Sequence, residues 1–227
     1  MATTYPYKLQ KPSTANDRVR ETADCYIYDS GIGDDTTNAE VLDGAAAFDA
    51  DYVIAKDYLH DQDRTTESVR EFRELYRGHE CDATIMVPLQ PPHADHYRDL
   101  PDASHYVLGG MAVDSVDTAQ ALEWIHSFRE VAPEVYAHGL GIGGGIEIVE
   151  ALAGKDILDS IDCATPEYAA MNGAVIDTRL RQKEIMAFRG GEGRCNRSYA
   201  LAEFNSWQIN DVWNNAAQSQ HDLGAYL

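Results

Sequence analysis

The feature that most constrains this chain is one unit repeated between residues 25 and 163. A short run of β-branched or aromatic residues ends in Asp, Gly or Pro, and apolar residues at helical spacing follow. Residues 25–28, 52–55, 83–87, 105–108, 135–137 and 160–163 read as strands. Residues 38–48, 65–77, 94–100, 117–131 and 146–153 read as helices. In the 65–77 helix, Val69, Phe72 and Leu75/Tyr76 fall on one face, with Thr65 and Thr66 as expected caps. Asp117 is placed to cap the next long helix, whose Leu122, Ile125 and Phe128 keep core spacing.

Strands alternating with helices predict a parallel sheet with crossover helices. Such a chain forms either an open doubly wound sheet or a closed barrel. The barrel is the better fit, because functional-looking residues end nearly every strand and a barrel gathers all its strand ends at one mouth. The expected fold is therefore a TIM-type (β/α)8 barrel, in abbreviated form, with a C-terminal helix and no zinc subdomain. Residues 1–20 read as a polar arm, 21–200 as the barrel, and 201–227 as a helix and tail packed on it. That helix spans about 201–217 and carries Trp207 and Trp213. The last two barrel strands are expected around 175–176 with 185–188, or partly before residue 25.

The 227 residues carry 18 basic and 38 acidic side chains, a net charge of −20, and Lys is scarce. A surface this acidic repels itself in dilute salt and is tolerable where salt screens it. The expectation is a soluble protein of a high-salt cytoplasm. No apolar run approaches the ~18 residues that a membrane span needs, and the N-terminus carries no signal-peptide pattern. The late basic residues Arg179, Arg181, Lys183, Arg189, Arg194 and Arg197 cluster against this trend. Contact with nucleic-acid phosphate explains them, as does a salt-bridged face against the acidic body. The four Cys form no Cys-x-x-Cys pair, so neither a zinc ribbon nor a redox pair is visible.

The strand ends carry Asp29, Asp57, Gln90, Gly109-Gly110, Gly141-Ile142-Gly143 and Asp162. Asp clusters can hold magnesium, but no His or Glu ligands align with these. Gln90 and bare glycine backbone suit a flat heterocycle better, since Asp and Gln together can read a purine edge. Two carboxylates can divide glycosidic chemistry between nucleophile and proton carrier. Taken singly, Asp57 beside Lys56 could be a surface ion pair, and the glycines at 141–145 a phosphate loop or a tight turn.

The order of these segments resembles the tRNA-guanine transglycosylase superfamily, barrel enzymes that exchange guanine in nucleic acid for a 7-deazaguanine. Asp162-Cys-Ala-Thr-Pro166, followed by Asn172-Gly173, reproduces that family's most specific pattern. Tyr28-Asp-Ser-Gly31, Gly109-Gly-Met-Ala112 and Leu140-Gly-Ile-Gly143 resemble its other segments, over roughly residues 25–175. The resemblance implies Asp162 as the nucleophile and Asp29 as the general acid/base. It implies base recognition by Asp57, Gln90, Gly109, Gly110 and Gly141, with Met111 and Leu140 packed at the base's faces. It implies no metal or other cofactor in the chemistry, and a 7-deazaguanine such as preQ0 or preQ1 as incoming base.

Four departures bear on the polymer. Ile32 and Gly33 stand where the family has a stacking aromatic, and Glu167-Tyr168 replaces a Thr-Arg. The zinc site is missing, with only Cys195 and His221 in that part, and RNA-binding appendages do not fit the length. The compact form is similar to the viral and bacterial DNA-modifying branch, so DNA is the expected polymer. Virally encoded members from salt-loving hosts would match the composition. A minimal tRNA enzyme is the alternative, and a catalytically silent nucleic-acid-docking subunit a further one. Barrels of this kind often form homodimers, but no interface is legible in the sequence.

Overall fold

A computed structural model describes residues 6–113, 115–142, 146–185 and 196–224 of the chain. Seven parallel strands make one sheet: β1 (Tyr7–Gln10), β2 (Cys25–Tyr28), β3 (Tyr52–Ile54), β4 (Thr84–Leu89), β5 (His105–Leu108), β6 (Tyr136–Gly139) and β7 (Ser160–Ile161). Between them run α1 (Asp17–Arg20), α2 (Asn38–Ala47), α3 (Gln62–Tyr76), α4 (His93–Tyr97), α5 (Thr118–Val131) and α6 (Ile146–Leu152). After β7 come α7 (Thr165–Met171), β8 (Ala174–Ile176), β9 (Gln182–Glu184) and α8 (Asn196–Gly224).

Spatial order equals chain order from β1 to β7, with no reversal. A doubly wound sheet needs a reversal point, so that alternative is excluded for this sheet. The sheet curls as a half-barrel, and its inner face has its own core of Ile54, Met86, Val107 and Leu140, flanked by Leu9, Ile27, Tyr52 and Tyr136. Tyr52 on β3 stacks with Tyr136 on β6 at 6.5 Å between ring centroids, across two intervening strands. Only a strongly curved sheet brings such side chains together. The outer face packs Tyr26, Val53, Val87, Leu89, Tyr106 and Leu108 with Leu42, Val69, Phe72, Ile125 and Phe128 of the helices. Burial on both faces explains why the central strands read as near-continuous apolar runs.

The architecture is thus α/β and compatible with an abbreviated TIM-like barrel. Among the described residues β1 pairs only with β2 and β7 only with β6. Helices reach the open edge instead: Lys8 on β1 is partly buried within the field of Glu167 on α7 and Glu203 on α8. The fully buried Asn205 ties α8 to that wall. Its amide donates to Pro166 O and Ala174 O, and its oxygen accepts the N–H of Ile176.

Three local expectations are corrected, and a fourth falls largely outside the described residues. Residues 7–10, within the expected polar arm, form strand β1, pairing Tyr7 with Cys25 through Gln10 with Tyr28, which matches the alternative placement of a barrel strand before residue 25. Residues 174–176 pair antiparallel with 182–184 in a separate hairpin rather than joining the barrel. The expected strand at 185–188 lies largely outside the described residues. Helix α3 begins one turn early, capped by Asp61, whose side chain accepts the N–H of Arg64. Thr65 and Thr66 are buried instead, Thr66 against His96 Nε2 at 2.9 Å. Asp117 caps α5 as expected, accepting the N–H of Gln120.

Candidate active site

Strand alternation sets which side chains enter the mouth. Ile27 and Asp29, Met86 and Gln90, Val107 and Gly109, and Ser160 and Asp162 keep one phase on their strands. Tyr136, His138 and Leu140 do the same on β6. The ladder runs past the strand ends and fixes these residues. Asp29 N donates to Gln10 O, Gly109 N to Leu89 O, Leu140 N to Leu108 O and Asp162 N to Gly139 O. Because the sheet is parallel, Asp29, Asp57, Gln90, Gly109, Gly110, Leu140, Gly141 and Asp162 all stand at its C-terminal ends. Met111 is buried directly after the two glycines.

Asp29 is 8 % exposed, and its carboxyl is pushed up to about 7. Burial is the main cause and the charges of Asp57 and Asp162 add to it, while the N–H groups of Gly31 and Ser30 pull the other way. A carboxyl that keeps its proton near neutrality can serve as a general acid. Asp57 is pushed up to about 6, chiefly by burial, with Gln90 opposing. The charge of Asp57 helps hold the proton on Asp29.

Gln90 has no exposed surface and is fully engaged. Its amide donates to Asp57 Oδ2 at 2.6 Å, and its oxygen accepts the N–H of His60 at 2.9 Å. Asp57 Oδ1 is buried with no partner among the described residues. Such an oxygen is costly unless a donor reaches it, and the N–H edge of a guanine-like base would satisfy it. Gly110 has φ +73, and a Cβ there would meet Pro91 Cδ at 2.7 Å and Gln90 Oε1 at 3.0 Å. Only glycine brings that backbone so close to Gln90. Lys56 does not pair with Asp57; its ammonium donates to Asp34 O and Thr36 O, which removes the surface ion-pair explanation.

Asp162 is the most open of the three, with its side chain 28 % exposed, and its Oδ1 accepts the N–H of Gly141. Gly141 has φ +64, a conformation that suits glycine. The neighbouring Gly143 lies outside the described residues.

Sequence reasoning missed the histidines. His138 Nε2 stands 3.7 Å from Asp162 Oδ1. His93 Nε2 hydrogen-bonds Gly109 O at 2.8 Å, and His60 Nε2 hydrogen-bonds Gly110 O at 2.9 Å. Burial pushes His93 down to about 4, so it is neutral and donates to that carbonyl. His96 accepts the N–H of Gln90 on Nδ1. The spacing from Tyr136 could have placed His138 inside. Nothing local marks the others, whose partners lie on different elements. Among the described residues no group of three or more His, Cys, Asp or Glu is arranged to hold a metal ion.

The late basic residues separate. Arg179, Arg181 and Lys183 are exposed on the β8–β9 hairpin. Arg181 is held by Asp177 at 2.6 and 3.0 Å, so the salt-bridge explanation applies to it. Arg197 falls at the start of α8, and Arg189 and Arg194 lie outside the described residues. No helix among the described residues is long and apolar enough to cross a membrane.

No family model matches the chain, and no characterised protein matches it by sequence.

Proposed function

We propose that the protein is a base-exchange transglycosylase, replacing guanine in DNA with a 7-deazaguanine through a covalent glycosyl intermediate on Asp162. The observation that carries the reading is the pairing of a buried, proton-holding Asp29 with an open Asp162 at the same mouth, beside the Asp57–Gln90–Gly110 wall.

In this mechanism Asp162 attacks C1′ of the nucleotide. The C1′–N bond breaks, its electron pair leaves with guanine, and Asp29 delivers the proton that neutralises the departing base. The incoming base returns a proton to Asp29, its nitrogen bonds C1′, and the Asp162 ester bond breaks. Asp57 Oδ1 accepts N–H groups from the base edge, with its orientation set by Gln90. A base inside this mouth must be flipped out of a duplex or come from a single strand. Of the late basic cluster, exposed Arg179 and Lys183 are the described cations available to phosphate.

The test is an exchange assay in molar salt with radiolabelled guanine and either DNA or tRNA. Label entering DNA is expected. Label entering tRNA alone would shift the substrate, and label entering neither would refute an exchange activity of the isolated chain.

A further inference from the structure

We infer that His138 is a positioning residue for Asp162 and that it selects Oδ2 as the attacking oxygen. The inference rests on the base-exchange reading and adds a residue to it.

His138 on β6 and Ser160 on β7 are register partners. His138 is 2 % exposed, and its Nδ1 lies 2.7 Å from Ser160 Oγ. The Tyr136 hydroxyl donates to the same Oγ at 2.7 Å. Ser160 Oγ accepts from Tyr136, and among the described residues its own hydrogen has no acceptor other than His138 Nδ1, which assigns that hydrogen to Nδ1. With Nδ1 accepting, the ring's proton is on Nε2. Nε2 is buried, has no hydrogen-bond partner among the described residues, and faces Asp162 Oδ1 at 3.7 Å. The opposite tautomer would point a lone pair at a carboxylate.

Gly141 N–H already donates to Oδ1. Two donors therefore converge on one oxygen and leave Oδ2 to attack. At 3.7 Å the histidine contact is too long for a hydrogen bond, and such contacts commonly tighten only in the reacting complex. The step that gains most is release. When the Oδ2–C1′ bond breaks, its electron pair returns to Asp162 and the charge spreads onto Oδ1. His138 and Gly141 stabilise that carboxylate more than the neutral ester.

The experiment compares His138→Leu with His138→Gln, whose amide places an N–H near the position of Nε2. His138→Leu is expected to lower kcat about tenfold to a hundredfold, the value of one hydrogen bond to a charged group. KM for the incoming base should not rise, and the trapped covalent adduct should accumulate. His138→Gln should stay within about threefold of wild type. Equal impairment of both variants, or a fall in adduct alongside kcat, would overturn the inference, because disrupted packing predicts both. Nitrogen NMR of the His138 ring supplies a readout independent of activity. The proton is expected on Nε2, with a resonance that moves in Asp162→Ala, and a proton on Nδ1 would overturn the inference. A wild-type protein inactive on both polymers yet showing the Nε2 proton and that shift would refute the exchange reading while upholding the His138–Asp162 pair.

Discussion

Asp29 offers the sharpest physical test because its effect on stability does not depend on any assumed substrate. Its carboxyl titrates from an ordinary 3.8 to about 7 in the folded chain. A raised carboxyl means that the native state binds the proton more tightly than the unfolded state. The contribution is therefore fully present below 3.8 and is lost as pH rises through about 7. At about 1.4 kcal/mol for each pH unit between those values, ionising Asp29 costs the native state about 4 kcal/mol. Asp29→Asn keeps the shape and removes the ionisation. At about pH 5 the variant should be more stable than wild type by no more than about 1.5 kcal/mol, since the native Asp29 is still uncharged there and only the unfolded-state carboxyl has ionised. At about pH 8.5 it should be more stable by about 2–4 kcal/mol, the lower end allowing for an amide that repeats only part of the contacts to Gly31 and Ser30. Urea midpoints across this range, in constant molar salt to screen the acidic surface, measure the difference. Parallel pH curves for the two proteins would refute the buried-proton argument and with it the role of Asp29 as acid.

Asp162→Asn should abolish exchange and leave no adduct on a denaturing gel, with the melting temperature little changed because the side chain is partly solvated; exchange near the wild-type rate would remove the nucleophile assignment. Asn205→Leu should cost about 2–4 kcal/mol in chemical unfolding, since it orphans Ile176 N–H, Pro166 O and Ala174 O together. Replacing Arg179 and Lys183 by Gln should weaken binding to DNA and reduce its salt slope by about 2, whereas Arg181→Gln, already paired with Asp177, should leave the slope unchanged in the same titration.

The six strands from 25 to 161 are legible because most are largely buried apolar runs followed by turn residues, and the short, half-buried β7 is marked by the Asp162-Cys-Ala-Thr-Pro166 segment that follows it. Strand β1 is legible only as an alternative strand somewhere before residue 25, since Tyr-Lys-Leu-Gln has the pattern of a half-exposed edge and becomes a strand only by pairing with β2. The β8–β9 hairpin escapes for a similar reason: Gln182–Glu184 is exposed throughout and carries no hydrophobic period. Thr65 and Thr66 look like caps from sequence, but tertiary contacts claim them and Asp61 caps in their place. In the site, the end-of-strand positions follow from alternation. The Gln90–Asp57 hydrogen bond and the turn of Lys56 toward Asp34 and Thr36 do not, because each depends on how neighbouring loops fold across the strand ends.

The curl of the sheet creates the candidate site. Asp29 follows β2 and Asp162 follows β7, five positions apart in the strand order. In a flat sheet they would stand about 24 Å apart, beyond the ~10 Å over which charges at ordinary ionic strength feel each other, and farther still beyond the range in molar salt. Yet the charge of Asp162 contributes to the raised carboxyl of Asp29. The inner core of Ile54, Met86, Val107 and Leu140, with Tyr52 stacked on Tyr136, is what holds the two ends of the sheet toward each other. The inner-face apolar side chains are thus the electrostatic precondition of the site. Salt concentrated enough to screen the acidic exterior acts less on Asp29, whose carboxyl is buried, than on the open Asp162.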